Sequence, residues 1–399
     1  MESISFMMRP LQILNLTQWR LDQKTGALYR NRFFELYTVL MIIFSVAFLL
    51  FGLFVDEDLN DSNNNDVGET VDFIQLVGIR VAHILSILES LMRRQDQRKF
   101  FEKVHDIDRY FENTLNMNVD NRECRRKTLL RGAIMLTIYI SSELFIFITN
   151  LTSSNQHFSI FRIFYFWPFL VCGVRYFQIF IGITIIKKRL HMLISLKIKS
   201  VGIFTLNEHK NQQSDMENPH LKKLLNIRIL YNRLWELTNI VNRCVGVSLL
   251  INVGNDFLSI TTNSYWIFVN FTSANTDYMT IAGNVIWSIP HWCNVLVLGI
   301  LCDYTMHCVS LTTAIALRLH QIECNNSNDN HNTVIEQFSL QLIHQKIAFT
   351  AAGFLKVDSA LLYTVIVCPL FQFKMAVALW GLKRVGFPKK LINSQFNGF

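Results

Sequence analysis

The feature that most constrains this chain is a series of predominantly apolar runs, each about 20 residues or longer. A helix of about 20 residues crosses the roughly 30 Å hydrocarbon core of a bilayer. Seven such runs can be placed, near residues 33–55, 70–92, 128–150, 157–186, 241–270, 281–305 and 359–382. Only 17% of the 399 residues are charged, whereas a soluble chain carries about 25%. The pattern predicts an all-α, polytopic membrane protein with seven transmembrane helices.

Lysine and arginine are distributed unevenly among the segments outside these spans. The leader, residues 1–32, carries five, and the loops after spans 2 and 4 carry ten each, whereas the loops after spans 1, 3 and 5 carry none. Because basic loops stay in the cytoplasm, we expect a cytoplasmic N-terminus, a seven-helix domain over 33–382 and a basic tail over 383–399. The net charge of +8 therefore indicates topology and does not indicate binding to nucleic acid.

Glycosylation signals and cysteines agree with this orientation. Asn60, Asn150 and Asn270 each begin an Asn-x-Ser/Thr sequence in or beside a predicted outer loop, so they are candidate glycosylation sites. All eight cysteines fall in spans or predicted cytoplasmic loops, where no extracellular disulfide can form. We expect no cleaved signal peptide, because the first apolar run is too long for the hydrophobic region of a signal.

Two predicted cytoplasmic segments have helical periodicity. Phe100, Val104, Ile107 and Phe111 recur at helical spacing in the stretch over 93–127. A second row of apolar residues at helical spacing, the seam from Leu224 to Val241, leads directly into span 5. It predicts one helix that projects well into the cytoplasm. Such extensions could pack together as a cytoplasmic platform, and the alternative is an amphipathic helix lying on the inner leaflet.

Polar and aromatic residues inside the outer halves of spans 3 to 6 are candidates for a ligand site. Ionisable groups at membrane depth usually face a cavity or one another, and aromatic walls with a few polar groups suit a small organic ligand. The alternative is that these residues form packing hydrogen bonds and an interfacial aromatic belt. The candidates are Glu143, Tyr165, Trp167, Asp256, Tyr265, Asn284, Trp287 and His291.

No residue pattern points to a metal, a cofactor or catalysis. The cysteines and histidines between Cys302 and His331 match no common zinc spacing and straddle a span and a loop. The chain contains no phosphate-binding loop, no nucleophile elbow and no H-E-x-x-H sequence. We therefore expect a protein that is not an enzyme.

The last apolar segment contains an unusual polar residue. Ser359 to Phe373 is uncharged and holds one glutamine, Gln372, near its end. A glutamine within an apolar span is unfavourable unless it faces protein or water, so Gln372 is predicted to face a helix bundle or a pore.

Two parts of the chain carry residue patterns that resemble those of a known protein family. One begins at Leu234-Trp235-Glu236 and continues into span 5, and the other covers residues 344–373. With seven spans and a cytoplasmic N-terminus, the chain resembles the insect gustatory receptor family. The C-terminal motif residues are Gly353, Phe354, Asp358, Leu361, Leu362, Gln372 and Phe373. The chain departs from the family signature because its Thr-Tyr pair is absent and Pro369 interrupts the segment.

This resemblance implies a function as well as a fold. It implies a taste receptor in the plasma membrane of sensory neurons that acts as a ligand-gated, nonselective cation channel. Four subunits, identical or mixed with other receptor subunits, would surround a pore lined by the last helix, with Gln372 and Phe373 as pore residues. A pocket in the outer half of each subunit would take the tastant, and membrane lipid would surround the assembly.

Three other functions remain open from the sequence. A related insect odorant-receptor channel subunit would share the fold and topology. A G-protein-coupled receptor is suggested only by Asp108-Arg109-Tyr110, which lies in the middle of a loop here, and that class has the opposite orientation. A transporter would be expected to have repeat symmetry, and none is evident.

Overall fold

A computed structural model of the chain describes residues 2–21, 28–59, 67–152, 156–207, 219–272, 278–323, 329–365 and 367. Within these residues the chain forms nine α-helices, the first turns of a further helix over 359–365, and two antiparallel pairs of short strands. The helices are α1 (Glu2–Ile13), α2 (Arg32–Leu59), α3 (Val67–Met92), α4 (Arg94–Leu115), α5 (Asn121–Thr152), α6 (Gln156–Asn207), α7 (Pro219–Thr272), α8 (Tyr278–Glu323) and α9 (Asp329–His344). The strands are β1 (Trp19–Leu21), β2 (Leu28–Arg30), β3 (Thr350–Ala351) and β4 (Leu355–Lys356). The predicted all-α fold class is confirmed.

Six of the described helices are long and apolar enough to cross a membrane. Their apolar stretches cover Arg32–Phe51, Phe73–Met92, Arg122–Thr149, Phe166–Ser195, Leu225–Phe271 and Tyr278–Leu311. Each contains or overlaps one of the first six predicted spans. The seventh, over 359–382, lies mostly outside the described residues, although its first turns over 359–365 are helical.

Two of the spanning helices are much longer than a bilayer is thick. Helix α6 has 52 residues and α7 has 54, which corresponds to about 80 Å each at 1.5 Å per residue. The periodic seam from Leu224 to Val241 lies within α7, so the predicted single helix is confirmed.

We call the end of the bundle that holds α4, α9 and the N-terminal segment the basic end, and the opposite end the far end.

The helices differ greatly in how much of their apolar surface the protein itself covers. In an 18-residue apolar window of α6, 72% of the residues are buried, whereas in the corresponding window of α2 only 6% are. Helix α6 packs against α3, α5, α7 and α8, but α2 packs mainly against α3. The exposed apolar face of α2 is therefore the surface that a bilayer would cover.

The N-terminal leader is folded against the basic end. Trp19 Nε1 donates a hydrogen bond to the Arg94 carbonyl at 2.8 Å, at the start of α4. Gln97 Nε2 donates to the carbonyl of Leu16 at 3.3 Å. The strand pair β1–β2 then turns the chain from α1 into the first spanning helix, α2.

Helix α4 packs against α6 and α7 through one apolar face and one buried ion pair. Of the residues predicted to form its apolar face, Val104, Ile107 and Phe111 are buried. Arg189 of α6 donates from Nε to Asp108 Oδ1 at 2.9 Å and from Nη2 to Oδ2 at 2.8 Å. Because this Arg–carboxylate pair is bidentate and buried, it fixes the orientation of α4 on α6.

The Asp108-Arg109-Tyr110 sequence therefore has a packing role in this fold. Tyr110 donates to Asn226 Oδ1 of α7 at 2.8 Å, and the Arg233 guanidinium lies 4.5 Å from the centre of the Tyr110 ring. Asp108 and Tyr110 thus attach α4 to two different helices.

Replacing Asp108 by asparagine leaves the Arg189 charge buried without its counter-charge. We expect Asp108→Asn to lower the free energy of unfolding by about 3–5 kcal/mol, measured by thermal unfolding of the purified protein in detergent. Asp106 lies two residues earlier on α4, where it is exposed, so Asp106→Asn should change that free energy by less than about 0.5 kcal/mol. Equal effects of the two substitutions would contradict a special role for the buried pair.

Candidate ligand site

A buried acidic residue and a histidine form the centre of a polar cluster in the far half of the bundle. Asp256 of α7 and His291 of α8 are 4% and 1% exposed. His291 Nδ1 and Asp256 Oδ1 are hydrogen-bonded at 2.6 Å. An acidic group so far from water requires a partner of this kind, because its desolvation is costly. The pair therefore links α7 to α8.

Two further helices extend the cluster. Asn294 of α8 donates from Nδ2 to the hydroxyl of Tyr139 on α5 at 2.6 Å, and to Asp256 Oδ2 at 3.3 Å. Phe169 of α6 lies beside the same groups, with its ring centre 5.3 Å from that of His291. Helices α5 to α8 thus meet in one cluster.

Aromatic rings form one wall of this cluster. Phe169 of α6 lies 4.6 Å from Tyr139, 5.1 Å from Trp287 and 5.3 Å from His291, measured between ring centres. The rings of Phe169 and Trp287 are nearly parallel, at an interplanar angle of 17°. The cluster thus has the composition of a small-molecule site, in which apolar rings surround a few polar groups.

Two polar atoms of the cluster, and one on α6 two residues before Phe169, have spare hydrogen-bonding capacity. Among the described residues, His291 Nε2, Asn294 Oδ1 and the indole Nε1 of Trp167 are buried and have no hydrogen-bond partner. A buried polar atom without a partner costs about 1–3 kcal/mol, so such atoms are usually satisfied by water or by a ligand. The described residues contain no group of three His, Cys, Asp or Glu side chains that could hold a metal ion.

The structure brings together only part of the residue set chosen from the sequence. Asp256, Trp287 and His291 meet in the cluster, and Trp167 lies on α6 two residues before Phe169. The other candidates lie outside these contacts: Glu143 is half-buried one turn after Tyr139 on α5, Asn284 is half-buried on α8, Tyr265 is 43% exposed on α7, and the side chain of Tyr165 is outside the described part of the chain.

Three members of the cluster were not among the sequence candidates: Tyr139, Phe169 and Asn294. Helical spacing could have indicated two of them, since Tyr139 lies one turn before Glu143 and Asn294 lies one turn after His291. The hydrogen bonds of the cluster also join α5, α7 and α8. The cluster therefore also holds these helices together, which agrees with the alternative interpretation that these residues form packing hydrogen bonds.

A glycine makes room for the tyrosine of the cluster. A Cβ atom added at Gly173 on α6 would lie 2.5 Å from Cε1 of Tyr139 and 2.6 Å from its Cζ. Real Cβ atoms do not approach other atoms so closely, so any larger residue at position 173 must displace the ring.

The C-terminal motif residues build a tight hairpin and the start of the last helix. Strands β3 and β4 pair antiparallel, and the turn between them places Ala352 at φ 53° and Gly353 at φ 77°. Glycine reaches positive φ without steric cost, which explains the motif glycine. Phe354 follows in the turn and is 88% exposed, so its ring does not stabilise the hairpin through burial.

Asp358 marks the start of the last helix. Its Oδ1 accepts a hydrogen bond from the backbone N–H of Ala360 at 3.0 Å, the position of an N-cap. A hydrogen bond from Lys356 lowers the pKa of Asp358 below its usual value, so the capping carboxylate stays ionised at neutral pH.

The first turns of the last helix rest on α8. Leu361 is 8% exposed, and a Cβ added at Gly299 would lie 2.4 Å from Cγ of Leu362. The predicted pore residues, Gln372 and Phe373, lie outside the described residues.

The candidate glycosylation sites lie at or near helix ends where they are described. Asn150 is in the last turn of α5, and Asn270 is in the last turn of α7, where its Nδ2 donates to the Trp266 carbonyl at 2.9 Å. Asn60 lies outside the described residues.

Comparison with known proteins identifies the chain's relatives. Residues 4–369 match the 7tm Chemosensory receptor family. Gustatory receptor 2a of Drosophila melanogaster is 38% identical over 417 aligned positions, which cover 94% of this chain and 96% of the relative. Gustatory receptor 68a of the same species is 28% identical over 170 positions, or 40% of this chain and 42% of the relative.

Solved structures of one insect receptor share the fold. The olfactory receptor OR5 from Machilis hrabei, in complex with eugenol, has a TM-score of 0.63 at 11% identity, covering 93% of this chain and 97% of the receptor. A second structure of the same receptor has a TM-score of 0.62 at 12% identity, covering 94% of this chain and 97% of the receptor.

The close approach at Gly173 generates a test of the cluster. We expect Gly173→Ala to displace Tyr139 from Asn294 and to lower the free energy of unfolding by about 1–3 kcal/mol through overpacking, measured by thermal unfolding in detergent. Gly182→Ala on the same helix is the control, because its Cβ would lie at an ordinary 3.5 Å from Val241. If the two variants unfold at the same temperature, Tyr139 is not held as described.

Proposed function

The chain belongs to the 7tm chemosensory receptor family, and we propose that it is a gustatory receptor that detects a small organic tastant and acts as a ligand-gated, nonselective cation channel. The observation that carries this proposal is the buried cluster around Asp256 and His291, with open hydrogen-bonding atoms beside an aromatic wall. The extensive identity to a gustatory receptor supports taste over other chemical senses.

The cluster suits a small ligand that combines apolar surface with a few polar groups. His291 Nε2, Asn294 Oδ1 and Trp167 Nε1 would exchange hydrogen bonds with the ligand, and the ring of Trp287 would contact its apolar part. Asp256 would hold His291 and Asn294 in the orientation required. In this proposal, Glu143, Tyr165, Tyr265 and Asn284 line the approach to the cluster and not its centre.

The last helix would line the pore. It begins at a fixed point, because Asp358 caps it and Leu362 packs against Gly299 of α8. Gln372 and Phe373 would then face the pore axis in an assembly of four subunits, either identical or mixed with other receptor subunits. We place the assembly in the plasma membrane of sensory neurons, with its N-terminus in the cytoplasm and its glycans, if added, outside.

An odorant-receptor-like channel subunit is the second candidate. The observation that favours it is the shared fold with the Machilis hrabei olfactory receptor, although the low identity makes this evidence of fold alone. Such a subunit would reach the cell surface only together with a co-receptor subunit. Surface expression of this chain without a partner therefore favours the gustatory assignment.

Current measurements in transfected cells test the receptor and channel proposals together. A panel of sugars, amines and plant alkaloids should contain a compound that evokes cation current, and this current should survive a non-hydrolysable GDP analogue in the pipette. Asp256→Asn should then raise the half-maximal tastant concentration about 10- to 100-fold, because a hydrogen bond to a charged group contributes about 1.5–3 kcal/mol.

Asp106→Asn is the matched control, since Asp106 is exposed on α4, away from the cluster. It should respond like the unaltered protein. A current that disappears with the GDP analogue would contradict the channel mechanism. A response to the tastant that is the same in Asp256→Asn would remove the cluster from ligand recognition.

A substitution in the last helix separates permeation from recognition. We expect Gln372→Ala to change single-channel conductance or the sodium-to-potassium permeability ratio, while the half-maximal tastant concentration changes less than about threefold, or about 0.7 kcal/mol. Gln95→Ala, at an exposed position on α4, should change neither quantity. Unaltered permeation in Gln372→Ala would exclude this side chain from the pore.

A further inference from the structure

Two backbone N–H groups in the middle of α7 donate to a carboxylate from another helix. The N–H of Val247 donates to Glu89 Oε1 and the N–H of Ser248 donates to Glu89 Oε2, each at 2.9 Å. In an uninterrupted α-helix these groups bond to carbonyls four residues earlier in the chain. A carboxylate that accepts two adjacent N–H groups is typical of the first turn of a helix.

A guanidinium group occupies the complementary position one turn earlier. Arg175 of α6 donates from Nη2 to the Cys244 carbonyl at 2.8 Å, and from Nε to Ser248 Oγ at 2.9 Å. The Cys244 carbonyl is the acceptor that the N–H of Ser248 would use in a regular helix. A cation that binds a backbone carbonyl is typical of the last turn of a helix.

The signs of the two charges fit the same interpretation. The start of a helix carries partial positive charge and its end carries partial negative charge, so carboxylates are favourable at the start and cations at the end. Glu89 and Arg175 also bind each other, with Arg175 Nη2 and Glu89 Oε2 at 3.1 Å. Their side chains are 7% and 0% exposed, so water does not compete for either group.

We infer that α7 works as two helices set end to end that meet between Cys244 and Ser248, a junction we call the α7 joint. We call the part of α7 before the joint the inner helix and the part after it the outer helix. In this inference, Glu89 and Arg175 are positioning residues: Arg175 caps the end of the inner helix and Glu89 caps the start of the outer helix. A side chain that enters the hydrogen-bond ladder is one of the known causes of a break in a long helix.

The α7 joint lies between the ligand cluster and the segment that leads into the last helix. The outer helix carries Asp256, nine residues after Val247. The inner helix carries Asn242, which donates from Nδ2 to the Ala348 carbonyl at 2.9 Å and accepts from the Thr350 N–H at 3.2 Å. If the chain is the channel proposed above, a displacement at the cluster reaches the last helix through this joint.

The surroundings of the joint differ on its two sides. On one side, a Cβ added at Gly246 would lie 2.9 Å from the backbone nitrogen of Ala352, so the strand pair β3–β4 is in close contact with the joint. On another side, a cavity of about 50 Å³ is lined by Ile179, Gly182, Cys244 and Val245, among others. The inner helix therefore has free volume beside it on the side of α6 and close contact on the side of the strand pair.

The inference predicts that α7 becomes one continuous helix when both caps are removed. Glu89→Leu combined with Arg175→Met removes both charges, and apolar replacement of a whole buried pair usually preserves the fold. Spin labels at Ile229 and Gly254, both exposed on α7, lie on the two sides of the joint. Pulsed dipolar spectroscopy then measures the distribution of distances between them. Labels should be attached through a genetically encoded ketone amino acid, and labelled chains diluted with unlabelled ones.

We expect the double variant to give a narrower distance distribution than the unaltered protein, centred near the roughly 38 Å of a straight helix. The matched control is Asp108→Leu with Arg189→Met, which removes an equally buried pair whose hydrogen bonds join α4 to α6. An unchanged distribution in the first variant, or the same change in both variants, would overturn the inference. The measurement uses neither ligand nor current, so its outcome is independent of the proposed function.

Discussion

Polar groups removed from water must find partners inside the protein, and three buried pairs meet this requirement in the helical bundle. Asp108–Arg189 lies in the extension toward the basic end, Glu89–Arg175 lies at the middle of α7, and Asp256–His291 lies in the far half. Both arginines belong to α6 and are about four turns apart, which places them on nearly the same face of that helix. The central helix of the bundle thus determines how α3, α4 and α7 are oriented around it, because a misplaced partner would leave an arginine charge buried alone.

Hydropathy reveals the spans because length and apolar composition are sufficient to identify a membrane helix, and the six described spans agree with the sequence prediction. The same property cannot reveal which helix is central. The 18-residue apolar windows of α2 and α6 have mean hydropathies of 2.3 and 1.9, yet 6% of the residues in one and 72% of those in the other are buried. Lipid is as apolar as the interior of a bundle, so the sequence carries little signal that separates a lipid-facing helix from a core helix. In this chain the signal was in the charged residues, since α6 contains Arg175 and Arg189 whereas the exposed stretch of α2 contains charge only at its basic end.

The polar cluster around Asp256 and His291 was predictable to a similar extent and for the same reason. Asp256 and His291 are conspicuous in apolar spans, so their pairing could be anticipated from the cost of leaving either group alone. Tyr139 and Phe169 resemble ordinary apolar span residues, and their place in the cluster depends on how α5 and α6 rotate about their axes. The α7 joint could not be predicted at all, because Glu89 and Ser248 are 159 residues apart and the contact is to backbone atoms. Sequence periodicity predicts α7 as one helix, and α7 is helical from Pro219 to Thr272, so only its hydrogen bonds with Glu89 and Arg175 point to the joint.

A break in a helix is tolerated inside a membrane only when other groups replace the lost backbone hydrogen bonds. In the α7 joint the replacements come from Glu89 of α3 and Arg175 of α6, so the direction in which the outer helix leaves the joint depends on the positions of those two helices. Helix α6 also carries Phe169 of the polar cluster, on the far side of Arg175 from Arg189. A movement of α6 caused by a ligand would therefore act on α7 at two places, at Asp256 through the contact of Phe169 with His291, and at the joint through Arg175. Because Arg175 and Glu89 are hydrogen-bonded to each other, neither cap can shift without the other, and the two ends of the joint must move together.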